Sequence, residues 1–161
     1  MGIKIEMNLI DPEMFTDAVQ EVVIQILEST LLEIQEEAKK KVNANSDKVY
    51  KDRTNFLNSS IGFVIYQNGE FVKSNFFASG VGEGKDGQKG VLTGEDLGNE
   101  VAQNFTSGFV CVMVAGADYA LYVESKGFDV LTGSWMEFDS IFKKNAENIS
   151  LATGIEFVNK K

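Results

Sequence analysis

The sequence predicts an α+β domain in which a mostly antiparallel sheet of about four to five strands packs against a long N-terminal helix and a C-terminal helix. Two observations lead to this class. Two long segments repeat apolar residues at helical spacing, and the segments between them alternate apolar and polar residues as strands do. The 161 residues show no internal repeat and no boundary between domains, so residues 1–161 are predicted to form a single domain.

The longest pattern covers residues 11–42 and predicts one helix. Asp11 and Pro12 form a start signal, and three lysines, Lys39, Lys40 and Lys41, sit where the helix macrodipole favours cations. At 1.5 Å per residue such a helix is roughly 48 Å long, more than a small core can bury. We therefore expect one of two arrangements. Either the helix packs along the sheet, or its free end docks on a neighbouring copy.

Four segments have the pattern of strands. Residues 3–9 alternate apolar and polar side chains, and Phe109–Val114 is almost wholly apolar. Ile61–Gln67 and Glu70–Phe77 flank Asn68-Gly69, the strongest short signal for a hairpin because both central residues of a type I′ turn need positive φ. These two strands are expected to pair.

Residues 78–98 are rich in glycine and charge and contain few large apolar groups. Such a segment buries little surface against its ordering entropy, so a flexible loop is predicted at about 78–98, with a short, weak helix at 94–105. Residues 117–124 fit helix or strand equally. Ser134 and Glu137 form a capping box for a last helix that Gly154 ends, and a short strand is possible at 155–158.

Composition favours a protein that is not an enzyme. The net charge of −9 opposes a nucleic-acid clamp, which needs clustered cations, and no apolar run reaches the ~20 residues of a membrane span. The start of the chain lacks the apolar block of a secretion signal, so synthesis in the cytoplasm is expected. There is no histidine, and the single Cys111 is predicted to be a buried thiol. No catalytic residue, metal ligand or cofactor is predicted.

Gly82 to Gly87 match the dinucleotide pattern G-x-G-x-x-G. That pattern binds a pyrophosphate only where a helix begins, and the sequence predicts none there. A small-ligand or nucleotide-binding module using Gly82–Gly87 is the alternative function. A hydrolase that uses Asp and Glu with a divalent metal is a third possibility, and a metal titration would separate it from the others.

Two stretches resemble a known family. One is Thr54-x-x-Leu57-x-x-Ser60-Ile61, and the other is Tyr119-Ala120-Leu121-Tyr122-Val123-Glu124. They are similar to the Thr-Gly-x-Leu-x-x-Ser-Ile and Tyr-Ala-x-Tyr-Val-Glu-x-Gly signatures of the minor tail-component and head–tail joining proteins of long-tailed bacteriophages and prophages. Asn55 stands where that family has Gly, but Asn tolerates positive φ. Lys126 lengthens the Glu-x-Gly spacing, and the family's Pro-rich run before the last helix is absent.

The resemblance implies a structural virion protein that completes the tail or joins head to tail. Such proteins form rings and contact other neck and tail proteins, first in the cytoplasm of the host bacterium and then in the virion. Tyr119, Tyr122 and Glu124 are the candidate subunit interface, since tyrosines three apart share a helical face and tyrosine is enriched at interfaces. The competing interpretation is that both rings cover this subunit's own core. Trp135 is expected to be a core residue.

Overall fold

The computed structural model describes residues 3–9, 17–42, 50–78 and 84–155, with side chains from residue 17 onward. The elements in chain order are β1 (Ile3–Leu9), α1 (Asp17–Lys41), α2 (Phe56–Ser59), β2 (Ile61–Gln67), β3 (Glu70–Asn75), α3 (Gly87–Ala102), β4 (Phe109–Ala115), α4 (Ala120–Ser125), α5 (Thr132–Trp135) and α6 (Phe138–Thr153). The α+β class is confirmed. The predicted start of the first helix and the possible strand after Gly154 lie mostly or wholly outside these ranges.

The sheet is antiparallel throughout. Strands β3, β2 and β4 form a three-stranded unit, fewer than the four to five strands predicted, and β1 adds backbone pairing along the outer side of β4 in the order β1-β4-β2-β3. Ile5 is placed opposite Met113, and Met113 opposite Phe63. Residues 117–124, which fitted strand or helix, do not supply a further strand, because residues 120–124 belong to α4.

The turn between β2 and β3 confirms the predicted hairpin. Asn68 and Gly69 have φ values of 52° and 80°, the positive values that a type I′ turn requires. The Asn68 side chain also accepts a hydrogen bond of 3.0 Å from the amide of Gly108, next to β4. The turn therefore fixes the register of the hairpin and ties it to the third strand.

Helices cover both faces of the sheet. Alternate residues of β2 and β4, such as Phe63 and Met113, face α1 and form the main core with α6 and α4. The other set, such as Val64 and Val112, forms a smaller core under α3. The apolar stripe of α1 is buried at intervals from Val22 to Val42, which fits the prediction that this helix packs on the sheet. Docking of a free end of this helix on a neighbouring copy remains a prediction.

The predicted flexible loop at 78–98 is wrong for residues 87–98, which belong to α3. Its glycines repeat on one helical face, and Gly87, Gly90, Gly94 and Gly98 are all buried. Without side chains, this face approaches the backbone of α2 so closely that a Cβ on Gly90 would overlap the carbonyl oxygen of Phe56. The high glycine content predicted disorder, whereas in α3 the glycines permit close packing against α2.

The last helix begins later than predicted. Ser134 lies inside α5 and does not cap α6, whose N-cap is Glu137 and has no side-chain capping bond. The capping-box prediction is therefore wrong, because Ser134 belongs to the short helix α5 and Glu137 is the residue that precedes α6. Gly154 does end α6, with φ of 73°, as predicted.

Candidate interaction site

The two stretches that carry the family resemblance lie side by side. The Ser60 hydroxyl accepts a hydrogen bond of 3.0 Å from the amide of Ala117, and the Ser60 carbonyl accepts one of 3.1 Å from the amide of Gly116. Ser60 is fully buried, so these bonds are shielded from water. The end of α2 is thereby fixed against the segment that enters α4.

Most residues of the two resemblance stretches are buried at this junction. Leu57, Ile61, Ala120 and Val123 are buried in the main core. The carbonyl of Thr54 accepts a hydrogen bond of 2.9 Å from Asp86, next to the start of α3. Asn55 has φ of 65°, as expected at a position where the family has glycine.

Tyr119 packs inside an aromatic cluster and is only partly exposed. Its ring centroid lies 6.3 Å from that of Tyr50 and 6.1 Å from that of Phe56, and Tyr50 also contacts Phe128 at 6.2 Å. Burial raises the pKa of Tyr119, and the nearby charge of Asp52 raises it further. Tyr119 is the N-cap residue of α4 and belongs to this cluster, whereas Tyr122 is mostly exposed, so the two rings do not form one exposed surface as predicted.

Tyr122 points outward from α4. It is 63% exposed, and its neighbour Leu121 is 57% exposed, while Ala120 and Val123 on the opposite side are buried. The Lys126 ammonium lies 5.1 Å from the Tyr122 ring centroid. Leu121 and Tyr122 are adjacent, so this side of α4 offers apolar area that a partner would bury on binding.

Glu124 stabilises the turn that follows α4. Its two carboxylate oxygens each accept a hydrogen bond of 3.1 Å, one from the amide of Leu131 and one from the amide of Thr132, at the start of α5. Asp129 in the same turn pairs with Lys41 at the end of α1. Of the three predicted interface residues, Glu124 thus has an internal role and Tyr122 is the most exposed.

Substitutions separate these two roles. We expect Glu124→Ala to lower the free energy of unfolding by about 1 to 2 kcal/mol, because two amides of α5 lose their acceptor. Tyr122→Ala should change it by less than about 0.5 kcal/mol, since the ring is mostly in solvent. Urea unfolding of both variants measures this difference, and an equal loss in both would contradict it.

A buried polar junction, which the sequence did not reveal, joins α1 to α2. The Asn58 side chain donates a hydrogen bond of 2.8 Å to the carbonyl of Lys39, and the Lys39 ammonium donates one of 2.7 Å to the carbonyl of Asn58. The Asp52 carboxylate accepts a hydrogen bond of 2.6 Å from the Asn58 amide. All three residues are more than nine-tenths buried. In the sequence, only the three consecutive lysines at 39–41 distinguish this end of α1.

Burial shifts the pKa of both charged groups in this junction. It raises the pKa of Asp52, although amide donors, the Asn58 amide first among them, act in the opposite direction. It lowers the pKa of Lys39 from 10.5 to about 8, while the Asp52 charge opposes that change. The Lys39 ammonium also lies 4.1 Å from the ring centroid of Phe77. These contacts hold the end of β3 against the end of α1.

The depressed pKa of Lys39 predicts a pH dependence of stability. Between about pH 8 and pH 10.5 the unfolded chain holds this proton and the folded chain releases it, so the contribution of Lys39 to stability rises with pH. From pH 7 to pH 9.5, wild type should gain about 2 kcal/mol relative to Lys39→Met. Urea unfolding at both values measures this gain, with exposed Lys143→Met as the control. A constant difference between wild type and Lys39→Met would refute the assignment.

The Gly82–Gly87 pattern is followed by a helix after all, since α3 begins at Gly87. The first turn of that helix is packed within the protein: Gly87 is buried, and a Cβ there would lie 3.2 Å from the Cβ of Ala78 and 3.4 Å from the Ser59 hydroxyl. Gly82 lies outside the described residues. Nothing in the described ranges favours the nucleotide-binding alternative, which stays a prediction that a thermal shift with nucleotides would test.

The described residues contain no group of three or more His, Cys, Asp or Glu side chains placed to bind a metal ion. Cys111 is fully buried in β4, as predicted, and burial raises the pKa of its thiol to about 12. Within the same ranges, no helix combines the length and apolar character needed to cross a membrane.

Comparisons of the chain with protein-family models, curated proteins and solved structures found no match. The family resemblance therefore depends on the motif residues of this chain alone. In the structure, most of those residues lie where the end of α2 contacts the segment that enters α4.

Proposed function

We propose that this protein is a structural component of a phage or prophage particle that completes the tail or joins head to tail. It acts by associating with copies of itself in a ring and by contacting neighbouring neck and tail proteins. It is made in the cytoplasm of the host bacterium and ends in the virion. This proposal extends the sequence resemblance and includes no catalytic step.

The observation that best supports it is the exposed apolar surface of a well-fixed segment. Leu121 and Tyr122 are mostly in solvent, yet the helix that carries them is held by Ser60 at one end and by the carboxylate of Glu124 at the other. A surface that is ordered before binding loses little conformational entropy when a partner docks. Such preorganisation suits a subunit that must assemble with defined geometry.

Light scattering after size-exclusion chromatography tests the proposal directly. The purified protein is measured alone and after mixing with the products of the genes on either side of its own. We expect a mass of several subunits, alone or after mixing, and a smaller mass for Leu121→Asp/Tyr122→Asp. Exposed Leu151→Asp on α6 is the control for adding a charge. A protein that stays monomeric and joins no neighbour would contradict the proposal.

A further inference from the structure

The molecule has two ends of different chemical character. At one end, here called the hairpin end, the Asn68-Gly69 turn lies near the start of α1, where Gln67 donates a hydrogen bond of 2.7 Å to Gln20. The end of α3 is also there, because the Tyr66 hydroxyl lies 2.9 Å from the Asn99 side chain. At the other end, α2 meets the end of α1 and the start of α3.

The segments of the hairpin end carry an excess of negative charge, in which Glu28 is paired with Lys73 at 2.7 Å. The sequence has no Lys or Arg in 17–28, 66–72 or 94–109. The acids of this end that are exposed are Asp17, Glu21, Glu70, Asp96 and Glu100. Phe71, beside the turn, is 55% exposed and rests edge-on against the Tyr66 ring. An acidic surface with an exposed aromatic ring is the result.

The opposite end presents a cationic aromatic surface, formed by the ring cluster around Tyr119 and the cations beside it. Lys89 lies 5.2 Å from the ring centroid of Phe56, and Lys126 lies 5.1 Å from that of Tyr122. Arg53, three residues after Tyr50, is also exposed. Of the acids nearby, Asp52 is buried, Glu124 caps α5 and Asp129 pairs with Lys41. Asp118, beside Tyr119, is exposed, and the cations Arg53, Lys89 and Lys126 outnumber it.

We propose that the acidic hairpin end of one copy docks on the cationic aromatic surface of the next copy. This inference rests on the self-association in the proposed function and adds to it the two contacting surfaces. The charges of the two surfaces are opposite, and each offers exposed aromatic area for burial. Tyrosine, phenylalanine and arginine are enriched at interfaces, and tyrosine and arginine are also enriched among the residues that contribute most of the binding energy.

The two surfaces lie at different ends of the subunit, so the contact is head to tail. A head-to-tail contact repeats from copy to copy, and it forms a ring when the rotation between copies closes. An interface of like with like would instead bring two acidic ends together, where repulsion opposes binding. The charge distribution therefore selects a second copy in a head-to-tail arrangement as the occupant.

A charge exchange between variants tests this pairing. The surface variant is Lys89→Glu/Lys126→Glu, with net charge −13, and the hairpin variant is Glu70→Lys/Glu100→Lys, with net charge −5, against −9 for wild type. The control, Asp139→Lys/Glu147→Lys, makes the same charge change as the hairpin variant on exposed positions of α6. Circular dichroism first confirms that each variant is folded, and sedimentation velocity then measures association.

We expect wild type and the α6 control to self-associate, and association to weaken at least about tenfold between 50 mM and 500 mM salt. The surface and hairpin variants alone should each associate at least about tenfold more weakly. Mixed in equal amounts they should recover association, because every contact then joins opposite charges. All variants remain net negative, so recovery cannot come from a general attraction.

Three results would overturn the inference. The first is association of the surface variant at wild-type strength, which places the contact elsewhere and leaves the proposed function intact. The second is a mixture that does not recover. The third is a wild-type protein that remains monomeric but binds a single-stranded oligonucleotide in a fluorescence anisotropy assay, with loss of binding in the surface variant. That result would assign the cationic aromatic surface to nucleic acid.

Discussion

Gly94→Ala is expected to lower the free energy of unfolding by about 2 to 3 kcal/mol, even though alanine favours a helix by about 1 kcal/mol over glycine. A Cβ at this position would overlap the carbonyl oxygen of Ser60 and lie 2.8 Å from the Phe76 ring. Gly116, whose amide donates a hydrogen bond to the same Ser60 carbonyl, also lies close, and its own Cβ would come within 2.7 Å of the Gly94 backbone. Backbone atoms of two segments therefore lie against Gly94, so α3 would have to move away from the sheet. Urea unfolding measures the loss.

Gly98→Ala, one turn further along the same helix, is the matched control. Its Cβ would meet only side-chain atoms, the nearest being Val64 Cγ1 at 3.2 Å. Side chains adjust more readily than backbone, and the helix propensity of alanine offsets the crowding, so the net change should stay within about 1 kcal/mol. Equal losses at Gly94 and Gly98 would show that close backbone packing is not what the glycines provide.

Asn58→Ala is expected to cost about 3 kcal/mol of unfolding free energy. The Asn58 side chain is 2% exposed and donates to the carbonyl of Lys39 in the last turn of α1. Removing it leaves a buried carbonyl without its donor and a cavity where the amide stood. The bond from Lys39 to the Asn58 carbonyl should persist, since it uses the backbone. Urea unfolding and hydrogen exchange of the α1 amides measure the effect.

Asn104→Ala is the control for Asn58→Ala at an exposed position. Asn104 donates to the carbonyls of Glu100 and Val101 at the end of α3, both at 3.1 Å, but its side chain is in solvent. Water replaces those bonds when the side chain is removed, so the loss should be less than about 1 kcal/mol. If Asn58→Ala cost no more than Asn104→Ala, the buried junction would not be what fixes α1 to α2.

Local signals in the sequence predicted the parts of the fold that depend on few residues. The Asn68-Gly69 turn is confirmed because positive φ at two consecutive residues admits few residue types. Gly154 is confirmed at the end of α6, because the residue that ends a helix commonly has positive φ and is then usually glycine. The strand predicted at Phe109–Val114 is confirmed, and it extends to Ala115, because a wholly apolar run of that length fits a strand that is buried on both faces.

The sequence failed where tertiary packing decides the outcome. Helix α3 contains four glycines that lower its intrinsic helix propensity, and only contact with α2 and β2 makes them favourable. The Asn58 junction was missed because Lys39 and Asp52 are 13 positions apart in sequence and have no spacing pattern. Tyr119 and Tyr122 were predicted on one face because the start of α4 was unknown.

The candidate interaction site was predicted in part. The sequence placed the two resemblance stretches in the chain, but it contained no signal that Ser60 bonds to the segment before Tyr119. The sequence also could not show that the Glu124 carboxylate accepts a hydrogen bond from an amide at the start of α5. A glutamate that binds its own backbone and one that binds another subunit have the same sequence signal. The role of Tyr122 in a subunit interface stays a prediction.

The most direct measurement of the central claim is electron microscopy of particles made without this protein. In a phage or induced prophage that carries the gene, an in-frame deletion should leave filled heads and tails that are not joined, with loss of infectivity. The wild-type gene supplied on a plasmid should restore joined particles, and the Leu121→Asp/Tyr122→Asp gene should not. Joined, infectious particles from the deletion strain would contradict the account.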